Sequence, residues 1–330
     1  MRFAVIGCGE AGSRRAAAID SVESAEVIVC VDMVRSRAEN LARRFGADSS
    51  TDWRSSIVRA DVDAVVIATS NNLHAAIALA SAEAGKHILC ERPLARNPSE
   101  GARMIGAAQE YKVRLRTGFS RRYHPAVIKT RNIINEGRIG RILFIRGRTS
   151  RGGYTERPAD WMVDCELSGG GTLLDNGMDL IDLCRFFMGD FKQVTGRAAA
   201  LMLPIEPCED NAFAILTTSD NRSAIIHSSW TDCVGYLSMD LSGTEGYIKL
   251  DYDNATVTVG LKPGEVGAGL EEVFDLSLEP DRSLAMEVED MVHAVAEGRR
   301  PMETGLDGQE ALTIAHAVYR SSDTGTVVRV

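Results

Sequence analysis

The 330 residues contain no apolar run near the roughly 18 residues that a membrane-spanning helix needs. The densest apolar stretch, residues 75–82, is short and helical in character. Nine prolines and 30 glycines without a repeating period exclude collagen-like and proline-rich chains. The six histidines form no H-x-x-x-H pair, so no zinc signature is present and no metal site is expected. The seven cysteines (8, 30, 90, 165, 184, 208 and 233) form no C-x-x-C. Their odd number and the apolar surroundings of several predict reduced core thiols in a cytoplasmic protein. Met1 leads straight into an apolar strand pattern, so a secretory leader is not expected. Basic residues are in deficit, 37 against 46 acidic ones, for a net charge of −9. That balance argues against general nucleic-acid binding, which needs clustered Lys and Arg.

What is there is an ordinary globular composition, 45% hydrophobic and 25% charged, at a length that suggests two domains. Over residues 1–120, short apolar strand patterns alternate strictly with helical ones. Unalternating strands such as residues 64–68 and 87–90 are those of a parallel sheet covered on both faces. The pattern predicts a doubly wound α/β domain over residues 1–120. Beyond it, helices are predicted over residues 125–136, 172–187, 284–296 and 309–321. Many short strands lie between residues 194 and 276. The second domain, residues 121–330, is therefore expected to be α+β with a large, mainly antiparallel open sheet. Its closing segment, residues 305–330, is expected to pack back near the first domain.

The first strand ends in Gly7-Cys8-Gly9-Glu10-Ala11-Gly12, and Asp32 closes the next strand, 20 residues after Gly12. A lone G-x-G-x-x-G says little. Between a strand and a helix, with an acidic residue at this distance, it is a dinucleotide fingerprint. Gly7 allows the tight turn, Gly9 the approach of a pyrophosphate, and Gly12 close helix–strand packing. Glu10 and Ala11 open the helix whose free N–H groups favour an anion. Asp32 is placed to bind both adenosine-ribose hydroxyls and to repel a 2′-phosphate, which favours NAD over NADP. Thr69-Ser70-Asn71 follows the fourth strand at the sheet's carboxyl edge, where doubly wound folds bind ligands. Asn71 has two compatible readings, a contact to the nicotinamide ribose and an ordinary helix cap. His74 reads as structural.

Further segments carry a resemblance: Glu91-Arg92-Pro93 after Ala84-Gly85-Lys86-His87, Gly118-Phe119-Ser120-Arg121-Arg122-Tyr123-His124-Pro125, Gly137-Arg138-Ile139-Gly140, Gly169-Gly170-Gly171-Thr172-Leu173-Leu174-Asp175, and Ala315-His316-Ala317-Val318-Tyr319. With the glycine fingerprint, and in this order along the chain, they resemble the Gfo/Idh/MocA family of oxidoreductases. The resemblance implies a Rossmann domain followed by an open-sheet domain whose outer face makes a homodimer or homotetramer. It also implies hydride transfer between a nicotinamide and a sugar, polyol or cyclitol, and Glu91 and Arg92 beside the cofactor. The family's usual site is a Lys in Glu-Lys-Pro and an Asp and His four residues apart on one helix.

Two of those three positions depart from the pattern. Arg92 stands at the lysine slot and Asp179 at the histidine slot; Asp175 alone matches. Arginine stays protonated and cannot serve as the base that alcohol oxidation needs. It can still bind an oxygen or a carboxylate. Asp175, Asp179 and Asp182 fall on one helical stripe, which reads either as a solvated face or as two carboxylates in the substrate cleft. Neighbouring carboxylates share a proton more readily than one alone, a route to a base where the histidine is missing. Tyr123, His124, Tyr154 and His227 are further proton-carrier candidates that no spacing singles out.

Three functions are compatible with these residues. The first is an NAD-dependent oxidoreductase of a sugar, polyol or cyclitol with a modified proton relay. The second is an enzyme that retains NAD and uses transient oxidation for elimination, epimerisation or glycoside cleavage. The third is a non-catalytic dinucleotide- and sugar-binding protein. All three predict a small-molecule ligand. The role of Asp32 is directly testable: the protein should bind NADH more tightly than NADPH, and Asp32→Ser should narrow the gap. Equal affinities in the unmodified protein, measured by fluorescence titration, would refute the assignment.

Overall fold

A computed structural model describes residues 1–152, 158–262 and 271–330. Tyr154 lies outside the described residues. The chain divides into two compact units.

The first unit comprises Met1–Ser120, Glu166–Gly169 and Leu284–Leu312. Its elements in chain order are β1 (Arg2–Ile6), α1 (Glu10–Asp20), β2 (Glu26–Val31), α2 (Arg35–Phe45), β3 (Asp48–Ser50), α3 (Trp53–Ile57), β4 (Ala64–Ile67), α4 (Asn71–Glu83), β5 (His87–Cys90), α5 (Pro98–Glu110) and β6 (Leu115–Thr117). The six strands are parallel in the order β3-β2-β1-β4-β5-β6. All four β4 residues are buried, as a sheet covered on both faces requires. The strand order reverses at β1, so the segments following β1 and β4 flank the switch point where such sheets take ligands. Helix α2 stops at Gly46 in the left-handed conformation, φ 64°.

The second unit comprises Arg121–Cys165, Gly170–Ser283 and Thr313–Val330. It contains α6 (Pro125–Asn135), β7 (Ile142–Arg151), the start of the short α7 (Cys165–Ser168), α8 (Asn176–Met188), β8 (Phe191–Ala199), β9 (Asn211–Thr218), β10 (Ser223–Ser229), β11 (Gly235–Gly243), β12 (Gly246–Asp251), β13 (Thr256–Leu261) and β14 (Glu271–Asp275). The chain then passes through α9 (Ser283–Ala296) and α10 (Gly305–Thr324) to β15 (Val328–Arg329). Among the described residues, nine strands form one sheet in the order β14-β13-β12-β11-β7-β10-β9-β8-β15. Every pairing is antiparallel except β7 with β10. Helix α8 packs on β7 and β10, and α6 on β12 and β13.

Of residues 305–330, expected to pack back near the first domain, residues 305–312 lie in the first unit and residues 313–330 in the second. The returning segment is Leu284–Leu312. The cause is the apolar stripe of α9: Val288, Met291 and Val292 join Phe3, Ile19 and Val27 in one buried cluster. Residues 313–330 instead end in β15, which pairs with β8.

The cysteine reading also needs correction. Cys165 and Cys208 form a disulfide, with Cα atoms 5.6 Å apart, and Cys233 is exposed. Cys8, Cys30, Cys90 and Cys184 are the buried free thiols that were expected. A bridge across 43 residues is made by the fold, and local spacing carries no trace of it.

Candidate active site

The glycine turn is shaped by what surrounds it. Gly7 has φ +97°, and a Cβ there would collide with the Ala68 carbonyl; one on Gly12 would collide with the carbonyl of Gly7. Gly9 differs, because a Cβ there would meet nothing within 4 Å. It opens α1, whose first turn has no side-chain cap and carries Glu10. The space beside Gly9 and the uncapped helix N-terminus fit a pyrophosphate. Asp32 follows β2 with both oxygens engaged by backbone: Oδ2 accepts from Cys8 N and Oδ1 from Val34 N, each at 2.8 Å. The acidic group is thereby tied to the turn itself.

At the next segment, Thr69 Oγ1 donates to the Ser70 carbonyl (3.2 Å) and Ser70 Oγ to Asn72 Oδ1 (2.7 Å). The helix cap is Ser70, so Asn71 is the first residue of α4 and not its cap. Asn71 is buried and its Nδ2 donates to the Ser168 carbonyl at 2.8 Å. His74, fully buried, faces the carbonyls of Pro93 (3.0 Å) and Thr69 (3.2 Å) with its two ring nitrogens. It ties the loop after β4 to the loop carrying Glu91 and Arg92. Burial pushes its pKa below the ordinary histidine value, although both carbonyls oppose that.

The aspartates in the second unit are not a solvated face. Helix α8 begins at Asn176, so Asp175 is the residue at its N-terminal boundary and lies outside the helical stripe. Asp179 and Asp182 are buried within it. Each of the three is held by an arginine. Arg151 Nη1 donates to Asp175 Oδ2 at 2.8 Å, and Trp230 Nε1 to the same oxygen at 3.0 Å. Arg121 Nε donates to Asp179 Oδ2 at 2.8 Å. Arg122 grips Asp182 through two nitrogens at 2.9 and 2.5 Å. The arrangement therefore differs from a bare carboxylate pair, since each group faces a guanidinium. Tyr252 extends the cluster. Arg121 lies over its ring at 4.6 Å, and His124 stacks on it at 3.9 Å. Burial pushes the Tyr252 hydroxyl up to about 12 and the His124 imidazole down.

Of the other proton-carrier candidates, Tyr123 is buried. His227 lies on β10, out of phase with Ser228, which faces Gly177 of α8, so it projects from the opposite face of the sheet. There it stacks on Phe213 (4.3 Å) and bonds Asn211 Oδ1 (3.1 Å).

Residues 208–211 organise the entry to α8. Glu209 is buried; its Oε2 accepts from Gly171 N and its Oε1 from Leu173 N, both at 2.8 Å, while its carbonyl accepts from Thr172 N. Tyr319 O–H donates to Oε1 at 3.0 Å. A side chain on Gly171 would collide with the Glu209 backbone, which is why the glycine run precedes the helix. With three successive N–H groups taken, α8 starts later than the predicted residue 172. Asp210 likewise accepts from the N–H groups of Leu201, Met202 and Leu203, and its carbonyl from Trp230 N. Cys208 carries the disulfide. Sequence reasoning missed Glu209, Trp230, Arg151 and Tyr252. For Arg121 and Arg122 the signal was present, as two adjacent arginines within the motif at residues 118–125.

Comparison with known proteins bears on these residues together. A model for an oxidoreductase family with an NAD-binding Rossmann fold matches residues 1–119, and one for the GFO/IDH/MocA C-terminal domain matches residues 127–249. Levoglucosan dehydrogenase from Pseudarthrobacter phenanthrenivorans is 30% identical over 86% of this chain and 84% of its own. The chain belongs to the Gfo/Idh/MocA family. Inositol 2-dehydrogenase from Rhizobium meliloti is 28% identical over 97% of this chain and 96% of its own. A solved structure of levoglucosan dehydrogenase in complex with NADH and levoglucosan superposes with a TM-score of 0.92, at 27% identity, covering 100% of this chain and 99% of that one. As a Gfo/Idh/MocA protein the chain is an NAD-dependent oxidoreductase of CH–OH groups, and the turn at Gly7–Gly12 with Asp32 fits that cofactor.

The Glu209 arrangement makes a stability prediction. Glu209→Leu leaves two buried backbone donors without their acceptor and should destabilise the protein by about 2–5 kcal/mol. Tyr319→Phe removes one hydrogen bond and should cost only about 0.5–1.5 kcal/mol. Denaturant melts decide; equal effects would refute the role given to the carboxylate.

Proposed function

We propose that this chain transfers a hydride between NAD and a hydroxyl carbon of a sugar, anhydrosugar, polyol or cyclitol. What supports the reading is the chain-long likeness to a levoglucosan dehydrogenase and an inositol dehydrogenase, together with the intact dinucleotide turn. Bound nicotinamide supplies the hydride acceptor or donor. Gly7, Gly9, Glu10, Ala11 and Gly12 cradle the pyrophosphate, and Asp32 takes the adenosine ribose. Thr69, Ser70, Asn71, Glu91 and Arg92 serve the nicotinamide half. Arg92 donates to the substrate oxygen but does not take its proton, because a guanidinium stays protonated. Asp175 and Asp179 are the proposed proton acceptors, with Trp230, Arg151 and Arg121 fixing their orientation.

The test is NADH formation by purified protein across levoglucosan, inositol isomers and D-xylose, with turnover expected on at least one. Asp179→Asn should then lower kcat by about 10²-fold or more. NAD retained through purification without net NADH would favour transient oxidation. No turnover at all would favour a binding protein and overturn the proposal.

We further assign the chain to the cytoplasm as a homodimer or homotetramer. Four buried free thiols support a reducing compartment, although the Cys165–Cys208 bridge argues the other way. No helix among the described residues is long and apolar enough to cross a membrane. The face of the nine-stranded sheet opposite α8 exposes Phe213, Ile215 and Ile225 around a groove of about 530 Å³. Contiguous exposed apolar surface of this kind marks an interaction site, and a second copy is the proposed occupant. Ile225→Glu should release monomers in light scattering; a monomeric unmodified protein at micromolar concentration refutes the assembly.

A further inference from the structure

Within the first unit, one arginine joins three elements that the dinucleotide site depends on. Arg15 lies on the second turn of α1, the helix that opens at Gly9, and is 1% exposed. Its Nε donates to Glu91 Oε1 at 2.5 Å, and its Nη1 forms an ion pair with Glu287 of α9. The guanidinium passes beside Gly118, where a side chain would run into Arg15 Nη2 and approach Glu91 Oε2, so only glycine leaves room for the bridge. The three partners differ in access. Arg15 and Glu287 are sealed, whereas the Glu91 side chain keeps 21% of its surface exposed. Glu91 immediately follows β5, at the carboxyl edge of the sheet, beside Arg92. The network therefore has one open pole, and it faces the edge where a doubly wound sheet binds its cofactor.

We infer that Arg15 is a positioning residue for the cofactor's nicotinamide half: it holds Glu91 fixed and charged as a hydrogen-bond acceptor and links that acceptor to the pyrophosphate helix. The inference rests on the NAD-dependent reading of the site. Glu91 is faced by Arg15 from α1, Glu287 from α9, His74 from α4, and its neighbours Cys90 and Arg92. Burial alone would push its carboxyl up, but the charge and hydrogen bond of Arg15, with smaller help from Arg92 and His74, outweigh this and hold it below the ordinary glutamate value. Glu287 shares the same arginine yet sits above its ordinary value, because burial prevails there. Without Arg15 the largest influence opposing burial at Glu91 is lost, and the carboxyl takes up its proton at a higher pH than in the unmodified protein.

The experiment is NADH fluorescence titration across acid to mildly alkaline pH, which needs no substrate. Arg15→Met should weaken NADH binding about tenfold at neutral pH, the loss of one charge-assisted hydrogen bond. It should also move the acid limb of NADH affinity upward by about one pH unit or more. Arg15→Lys should recover part of both, and Glu287→Gln should not move the limb upward. A lower melting temperature with unchanged NADH affinity and an unchanged limb makes Arg15 merely structural and overturns the inference. If Arg15→Met fails to fold, Glu91→Gln carries the test: it should lose affinity and the limb together, and full affinity in that folded variant overturns the inference. Unmodified protein that binds NADH but turns over no sugar or cyclitol defeats the function proposed above and leaves this result readable.

Discussion

A charge taken out of water must meet a partner, at several kcal/mol per ion otherwise, and that requirement governs both units of this protein. Net folding stability is only about 5–15 kcal/mol, so one unpaired buried ion consumes a large part of it. In the first unit Arg116, wholly buried on β6, reaches Glu303, Asp290 at 3.3 Å and the carbonyl of Glu287 at 3.0 Å. Together with Arg15 it gives the helix α9 polar anchors as well as an apolar stripe. That combination explains why residues nearly 170 positions beyond β6 complete the unit that β6 closes.

The same requirement operates in the second unit with the signs exchanged. Asp179, Asp182 and Glu209 are buried acids whose partners come from the single helical turn at Ser120–Tyr123, from the backbone of residues 171–173 and from α10. Glu209 is the most economical case. A single residue supplies three acceptors to three successive N–H groups, doing for the entry to α8 what a capping side chain does for an ordinary helix. The conformation of Asp175 follows from that grip, from the bond to Trp230, and from the ion pair with Arg151.

The features legible in the sequence were those with local causes. Alternating strand and helix periods reveal the parallel sheet, because β1, β4 and β5 are buried on both faces. The glycine turn was readable because Gly7 and Gly12 answer steric demands from neighbours within about sixty residues and Gly9 keeps the space beside the helix N-terminus open. Asp179 and Asp182 were recognisable by helical spacing. What escaped either lacks an apolar period or has a long-range cause. The strand β3 and helix α3 are short and polar, and α3 is set by Asp52 accepting from Arg54 N and Ser55 N rather than by any apolar period. The start of α8 depends on Glu209, more than thirty residues later. The disulfide depends on Cys165 and Cys208 meeting in space. A one-dimensional pattern holds no term for the last two.

The exchange at Asp179 shows why a motif position is a poor unit of comparison. Taken alone, aspartate in place of the family's histidine adds a negative charge and removes a neutral base. In the fold it comes with Arg121, whose Nε points at that carboxylate and whose guanidinium also lies over Tyr252. Putting histidine back at residue 179 would replace the carboxylate to which Arg121 Nε donates with a neutral imidazole. The substitution is therefore a property of at least three side chains, Asp179, Arg121 and Tyr252, contributed by α8, by the turn that opens the second unit and by the segment following β12. A return to the family's chemistry would have to change the arginine along with the aspartate.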